Sequence, residues 1–341
     1  MEHEENNVNN DNEATSMNVY QRLEKVILES DLPDSVKSGQ ISRLAKIKKE
    51  PVNILFIGST GVGKSSTINA LFNMEKAKIG DMDPETESVE CFQLDNLYVW
   101  DTPGIGDDIE KDRRNISQIQ EKLKEKNGSG KNALIDLVVV IMDAGQRDLN
   151  SVYDCIDKIL IPAMGKEAVR KRLIIGMNKA DTAMSGRHWL LNINSPDVVL
   201  TEYLDKKTES IRRRIMESTG IDVEPVYYCA GYKEGNEPQM PPYNLIKLLY
   251  RIMETMPADR RIVMMDQINP KKRHWEFCDK KQNYGEKILE DLWGSIKENA
   301  QIFSDHGLNI GTWIMGAPGG LLGYIIGGAF GAVVGTVKCL I

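Results

Sequence analysis

Apolar residues in this chain fall into short unbroken runs separated by longer amphipathic stretches. Ile54–Ile57, Ile135–Met142 and Leu173–Met177 are nearly continuous, with Val, Ile and Leu prominent. Such runs predict strands covered on both faces, as in parallel sheets. The stretches between them carry apolar residues at helical spacing. Thr67–Phe72 places Ile68, Leu71 and Phe72 on one face, and Asp108–Lys126 carries Ile109, Ile116, Ile119 and Leu123 before Asn127–Gly130 closes it. Further helices are expected over about Asn150–Leu160 and Val199–Ser218. Val89–Leu94 and Leu97–Trp100 flank Asp95-Asn96 as a hairpin would, and a last strand, Pro225–Cys229, precedes a last helix, Tyr243–Met256, stopped by Pro257. Strands alternating with helices predict an α/β, doubly wound, mainly parallel sheet, with ligands at the carboxyl ends of the strands.

The flanks differ in character. Residues 1–17 are acidic and Asn-rich with no Lys or Arg, and are expected to form a disordered tail. Residues 18–50 read as two lead-in helices: Val19, Leu23, Val26 and Ile27 share one face, and after Leu32-Pro33-Asp34 so do Val36, Ile41, Leu44 and Ile47. We expect them to be packing struts. The α/β unit takes residues 51–257, a basic linker and amphipathic helix 258–306, and a Gly-rich apolar tail 307–341.

Composition narrows the class. With 41% hydrophobic and 27% charged residues the chain can bury a sizeable core, and a net charge of −7 argues against a generally basic nucleic-acid binder. The five cysteines are scattered with no metal-ligand spacing, so they are expected as reduced thiols. Met1-Glu2-His3-Glu4 resembles neither a signal peptide nor a myristoylation site, and Cys339 makes no prenylation box. The expectation is a cytoplasmic protein, peripheral or anchored at a membrane if its tail engages lipid. His3, His188, His274 and His306 are dispersed, so no zinc site or nucleophile triad is expected.

The chemistry concentrates between residues 53 and 66. The strand Ile54–Ile57 runs into G-x-x-x-x-G-K-[ST] and then into a helix, the context that gives this phosphate-binding loop its meaning. Gly58 and Gly63 let the backbone wrap closely, so the amides of Ser59, Thr60, Gly61, Val62 and Ser66 turn towards phosphate oxygens. Lys64 would reach the β- and γ-phosphates, and the Ser65 hydroxyl would ligate Mg²⁺. Three further clusters fall at expected strand ends: Asp101-Thr102-Pro103-Gly104, Asn178-Lys179-Ala180-Asp181 and Cys229-Ala230-Gly231.

In this order the clusters resemble the first, third, fourth and fifth signature elements of a GTPase, and Thr86, in the Pro-broken loop Asp83–Ser88, resembles the second. The set is similar to Era-like bacterial GTPases of the translation-factor (TRAFAC) class, the ribosome-binding GTPase type. The paired lead-in helices and Asp-Thr-Pro-Gly are similar, more narrowly, to the YfjP-type group. The likeness covers about residues 50–256 and implies a P-loop G domain that binds GTP and GDP with Mg²⁺ and hydrolyses GTP to GDP and phosphate. It implies that Ser65, Thr86 and Asp101 serve the metal, that Lys64, Thr86 and Gly104 act on the γ-phosphate, and that Thr86 closes over Mg²⁺ and retreats after hydrolysis. An Asp181 carboxylate can accept both the ring NH and the exocyclic amino group of guanine, Lys179 can lie along the base, and the Ala230 and Gly231 amides can hold it.

Two features stand apart. Cys229-Ala230-Gly231 departs from the commoner Ser-Ala-Lys, and Ile105 occupies the position where Ras-like enzymes carry the Gln that orients water, which predicts slow intrinsic hydrolysis. Water would then be placed by another group, with Asp107, Arg113, Arg114 or a partner as candidates.

Beyond the α/β unit, residues 260–287 are locally basic with Trp275, Phe277 and Tyr284 interleaved. A solvated linker and a surface for RNA or anionic lipid are the two readings. From Gly307 to Val337 there is no charge, and Gly319, Gly323, Gly327, Gly331 and Gly335 recur at every fourth position. That interval lets helices approach closely, in a membrane, in self-association or against the chain's own domain. The resemblance and the tail together lead us to expect a slowly hydrolysing GTP-dependent molecular switch; a ribosome-assembly or RNA-associated GTPase, with a ribosome or RNA partner that is not favoured, and a nucleotide-controlled membrane-remodelling protein are the alternatives.

Overall fold

The computed structural model describes residues 19–300, except 31, 50, 75–77, 80–88, 106–108, 129, 131, 147–149, 233–239 and 259. Thr86, Asp107 and the terminal segments 1–17 and 307–341 therefore lie outside the described residues.

Helices α1 (Val19–Glu29) and α2 (Asp34–Lys49) lead into strand β1 (Val52–Gly58), followed by α3 (Lys64–Leu71) and the short strand β2 (Lys78–Ile79). The hairpin β3 (Glu90–Leu94) and β4 (Leu97–Asp101) turns at Asp95-Asn96, with Asp95 at φ 50°. After α4 (Ile109–Lys124) and β5 (Leu137–Asp143), helical backbone begins with α5 (Asn150–Asp154), passes through a π turn (Cys155–Leu160) and ends as α6 (Ile161–Met164). This run extends past the Leu160 boundary that spacing predicts. Then come α7 (Lys166–Arg172), β6 (Leu173–Asn178), the small hairpin β7 (Trp189–Leu190) and β8 (Ser195–Pro196), and α8 (Val198–Thr219). Strand β9 (Val226–Tyr227) is shorter than the run from Pro225 to Cys229, and α9 (Leu245–Thr255), α10 (Arg261–Met265) and α11 (Tyr284–Ala300) follow.

The main sheet has the order β2-β3-β4-β1-β5-β6-β9. Strands β4, β1, β5, β6 and β9 are mutually parallel, and β2 and β3 form an antiparallel edge. Alternate residues of each central strand enter opposite layers. Ile54 and Phe56 pack with Ile68 and Leu71 of α3 and Leu248 and Ile252 of α9, whereas Leu55 and Ile57 face Ile119 of α4 and Leu204 and Ile211 of α8. An unbroken apolar strand is thus buried on both faces, as its composition requires. Phe56 and Phe72 meet edge to face, with centroids 6.4 Å apart.

The lead-in helices join the first layer through Tyr20, Leu23 and Ile27. So do Ile262, Val263, Trp275, Tyr284, Ile288 and Leu292 from beyond residue 257. This corrects the reading of Trp275 and Tyr284 as stacking platforms for RNA or lipid: both are core side chains, and the Trp275 indole donates to the Asn269 carbonyl at 2.9 Å. Their basic neighbours flank a packed strap. Among the described residues no helix is long and apolar enough to cross a membrane.

Candidate functional site

Parallel pairing brings the carboxyl ends of the strands to one edge. Asp101 ends β4, Gly58 ends β1 opposite Ile141, and Asp143 and Asn178 pair as the last residues of β5 and β6. Four clusters spread over most of the α/β unit therefore share one rim, where ligands bind in sheets of this type.

The loop from Gly58 to Gly63 is shaped by contacts only glycine admits. A Cβ on Gly58 would lie 2.3 Å from the Ile141 carbonyl oxygen. Gly63 has φ 91°, and a Cβ there would lie 2.3 Å from Asn178 Nδ2. Lys64 is buried, and its Nζ donates to the Gly58 and Ser59 carbonyls at 3.1 and 3.2 Å, which centres the cation within the loop. Thr67 donates to the Gly63 carbonyl and pairs with the Tyr228 hydroxyl, both at 2.7 Å, tying the first turn of α3 to the end of β9.

The Asp101–Gly104 turn rests directly on that loop. Ser65 Oγ donates to Asp101 Oδ2 at 2.6 Å, while Asp101 Oδ1 is buried with no hydrogen-bond partner among the described residues. Burial pushes the Asp101 carboxyl above its ordinary value, against the Ser65 hydrogen bond and the Lys64 charge, which lower it. An oxygen pair with an unsatisfied carboxylate atom fits a hydrated divalent cation, so Ser65 and Asp101 are the residues that would hold Mg²⁺. Gly104 approaches so closely that a Cβ would lie 1.9 Å from Thr60 Oγ1. Ile105 bridges to Ser59, and its amide donates to the Gly58 carbonyl at 3.4 Å.

At the other end of the rim, Asn178 joins three segments. Its Nδ2 donates to the Val62 carbonyl at 2.9 Å, and its Oδ1 accepts from the Ala230 amide at 3.0 Å. Lys179 sits at φ 60°, with Nζ 3.1 Å from Asp143 Oδ2. The Ala180 amide donates to the Tyr228 carbonyl at 3.1 Å, locking the loop onto β9. Asp181 is 7% exposed, and its Oδ1 is buried without a partner among the described residues. Burial pushes the neighbouring Cys229 thiol up, and the Asp181 carboxylate pushes it further, so the thiol is neutral beside that acid. Gly231 sits at φ 80°, and a Cβ there would lie 2.5 Å from the Met240 carbonyl oxygen.

The structure thus brings together Gly58–Ser66, Asp101, Gly104, Asn178, Lys179, Asp181, Ala230 and Gly231. Arg113 and Arg114 are exposed on α4. Sequence reasoning missed Asn115, which is 3% exposed and donates from Nδ2 to the Gly104 carbonyl at 3.1 Å. It missed Asp143 and Tyr228 as well. Asn115 lies among charged neighbours and carried no signal, whereas Asp143 ends an apolar strand at the same level as Asn178, a position that could have marked it.

Comparison with known proteins follows the same outline. Residues 53–179 match the family model described as "50S ribosome-binding GTPase". The chain is 28% identical over 213 residues to the tRNA modification GTPase MnmE of Acetivibrio thermocellus, covering 61% of this chain and 39% of that protein. It is 32% identical over 111 residues to the probable GTP-binding protein EngB of Mycoplasmopsis pulmonis, covering 32% of this chain and 57% of that one. Less than two thirds of either relative is therefore spanned. Among solved structures, Toc33 from Arabidopsis thaliana in complex with GDP and Mg²⁺ aligns with a TM-score of 0.38 at 15% identity, over 62% of this chain and 84% of that one. The sheet, the loop between β1 and α3, and the matched stretch give the α/β unit the fold of a P-loop GTPase G domain.

Proposed function

We propose that this chain is a guanine-nucleotide switch that binds GTP and GDP with Mg²⁺ and hydrolyses GTP. The observation that carries this reading is the Asn178 clamp. One amide side chain ties the phosphate loop at Val62 to the Ala230 amide, and the buried Asp181 carboxylate oxygen follows it in the same loop. A carboxylate there suits the donor pair of guanine, which adenine lacks. In this reading Lys64 and the amides of 58–66 take the phosphates, and Lys179 lies against the base. Ser65 and Asp101 would hold Mg²⁺, which when bound would supply charge neutralisation for the phosphates. The Asp101–Gly104 turn, seated on Thr60, reports whether the terminal phosphate is present. Thr86 is assigned the companion switch role on the resemblance of its motif.

Ile105 supports a slow intrinsic rate. Its side chain packs against the apolar layer under the rim and offers no hydrogen bond to water. Within the class, the Asp-Thr-Pro-Gly turn and the helical lead-in support an Era-like, YfjP-type placement.

Calorimetry on the full chain with Mg²⁺ tests the reading. GTP and GDP should bind and ATP should not, and Asp181→Asn should abolish the preference. Equal affinity for GTP and ATP in a folded sample overturns it. A ribosomal-subunit partner is the second reading, favoured by the description of the matching family model. GTP-dependent co-sedimentation with ribosomal subunits tests it, and its absence removes that partner. Membrane or self-association through 307–341 is read from the glycine spacing, and flotation with vesicles with and without that segment decides it.

A further inference from the structure

The helix that starts at the phosphate loop ends on residues from beyond the G domain. The last four carbonyls of an α-helix have no partner within it. In α3, the Ile68 carbonyl is taken by the Phe72 amide. The next three are met by one distant strap: Asn69 O accepts from Asn269 Nδ2 at 2.9 Å, Ala70 O from His274 Nδ1 at 3.0 Å, and Leu71 O from the Asn269 amide at 2.9 Å. Phe72 and Ile268 form an antiparallel bridge beside them.

This strap also walls a cavity of about 300 Å³. Its other boundaries are Ser66 and Asn69 on α3 and Ala230 and Gly231 after β9, while Lys271 and His274 line it from the strap. It shares no lining residue with the cleft of about 470 Å³ between Ser59–Val62 and Lys179. A nucleotide with its phosphates at Gly63–Ser66 and its base at Ala230 must set its ribose between them, on this cavity. The wall there is polar. A carbonyl can only accept, so His274 Nδ1 carries the hydrogen donated to Ala70, and Nε2 is left as an acceptor suited to a hydroxyl.

We propose that Lys271 and His274 contact the ribose hydroxyls of the bound guanine nucleotide, which makes the strap of residues 267–275 a wall of the nucleotide site. This rests on the guanine-nucleotide reading above. It gives the segment after the G domain a direct sense of occupancy. The same strap caps α3 and, through Trp275, packs with Ile288 and Leu292 of α11.

The test is calorimetry on the full chain with Mg²⁺, using GDP and 2′,3′-dideoxy-GDP, for the wild type, Lys271→Ala and His274→Asn. Asn keeps a donor for the Ala70 carbonyl and removes Nε2. Each variant should bind GDP about five- to tenfold more weakly, as expected for one lost hydrogen bond to a polar or charged group, and the dideoxy nucleotide nearly as the wild type does. Hydrogen exchange in 267–275 should slow when GDP binds. GDP affinity within about twofold of wild type in both variants overturns the proposal, as does an equal loss for both nucleotides. Failure of the wild type to bind GDP would instead bring down the guanine reading, and this inference with it.

Discussion

Asn178 and Val62, on different loops of the rim, are held by a 2.9 Å hydrogen bond from the Asn178 side chain to the Val62 carbonyl. The other end of the same amide accepts from Ala230. Replacing it with Ala strands a buried carbonyl and a buried amide, each of which costs about 1–3 kcal/mol when left unmade. Asn178→Ala is expected to lower the unfolding free energy by about 3 kcal/mol in urea titrations without nucleotide. A change below about 0.5 kcal/mol would show that the clamp does not hold the rim together.

Gly104 admits no side chain. A Cβ would meet Thr60 Oγ1 at 1.9 Å and the Thr60 Cα and N at 2.7 Å, and the last two belong to a backbone that cannot rotate away. Gly104→Ala should part the turn from the phosphate loop and reduce GTP turnover by roughly 100-fold, the order expected for a displacement near 1 Å, with GDP affinity less affected. Adding Thr60→Gly should restore little, because Cα and N stay in place. Wild-type turnover by Gly104→Ala would refute the contact.

The Asp101 carboxyl, raised by burial, carries a sign that experiment can read. A group whose folded value exceeds its unfolded one adds stability that is full below the ordinary carboxylate value and is lost as pH rises through the raised value. A cation beside the carboxylate relieves that loss at neutral pH and competes with protons in acid. Mg²⁺ added to the GDP complex should therefore raise the melting temperature more at about pH 7.5 than at about pH 5, and Asp101→Asn should flatten the difference. An equal Mg²⁺ effect at both pH values would rule out this carboxylate as the metal's seat.

Lys247 and Asp279 are paired at 2.7 Å, with side chains 15% and 3% exposed. Burial pushes the Asp279 carboxyl up, but the Lys247 charge and hydrogen bonds from Lys247, Tyr284 and the Lys281 amide outweigh it, so it lies below its ordinary value. Its stabilising contribution is present above the ordinary carboxylate value and is lost as pH falls through the depressed one. Lys247→Met leaves a buried charge with only hydroxyl and amide partners and should cost about 3–5 kcal/mol, read as a lower urea midpoint. The loss should shrink in acid, where Asp279 takes up a proton. A pH-independent difference would contradict the pairing.

Much of the site was legible because its chemistry is local. Gly58–Ser65 needs strand, loop and helix in succession, and each announces itself within a few residues. Asp101, Asn178 and Asp181 were legible because apolar strands end at or just before them, and parallel strands must end together. Asn115, Tyr228 and the Asn269–His274 strap were not legible. Each acts on a backbone carbonyl or hydroxyl remote in sequence, at separations of 11, 161 and 204 residues for Gly104, Thr67 and Ala70. The aromatic residues of the basic stretch misled for the same reason: periodicity marks which side chains seek burial, and cannot distinguish a core from a partner's surface.

From its sequence alone, this protein has a parallel sheet buried on both faces and a phosphate loop at the carboxyl end of β1, because strand composition and glycine placement are dictated by neighbours in the chain. Only the tertiary structure decided that residues 260–292 complete the same core, that Asn178 binds two loops at once, and that α3 is capped by a segment about 200 residues away. Those outcomes depend on which unsatisfied carbonyls and apolar faces meet in space, a question that each stretch of chain leaves open until the others have folded around it.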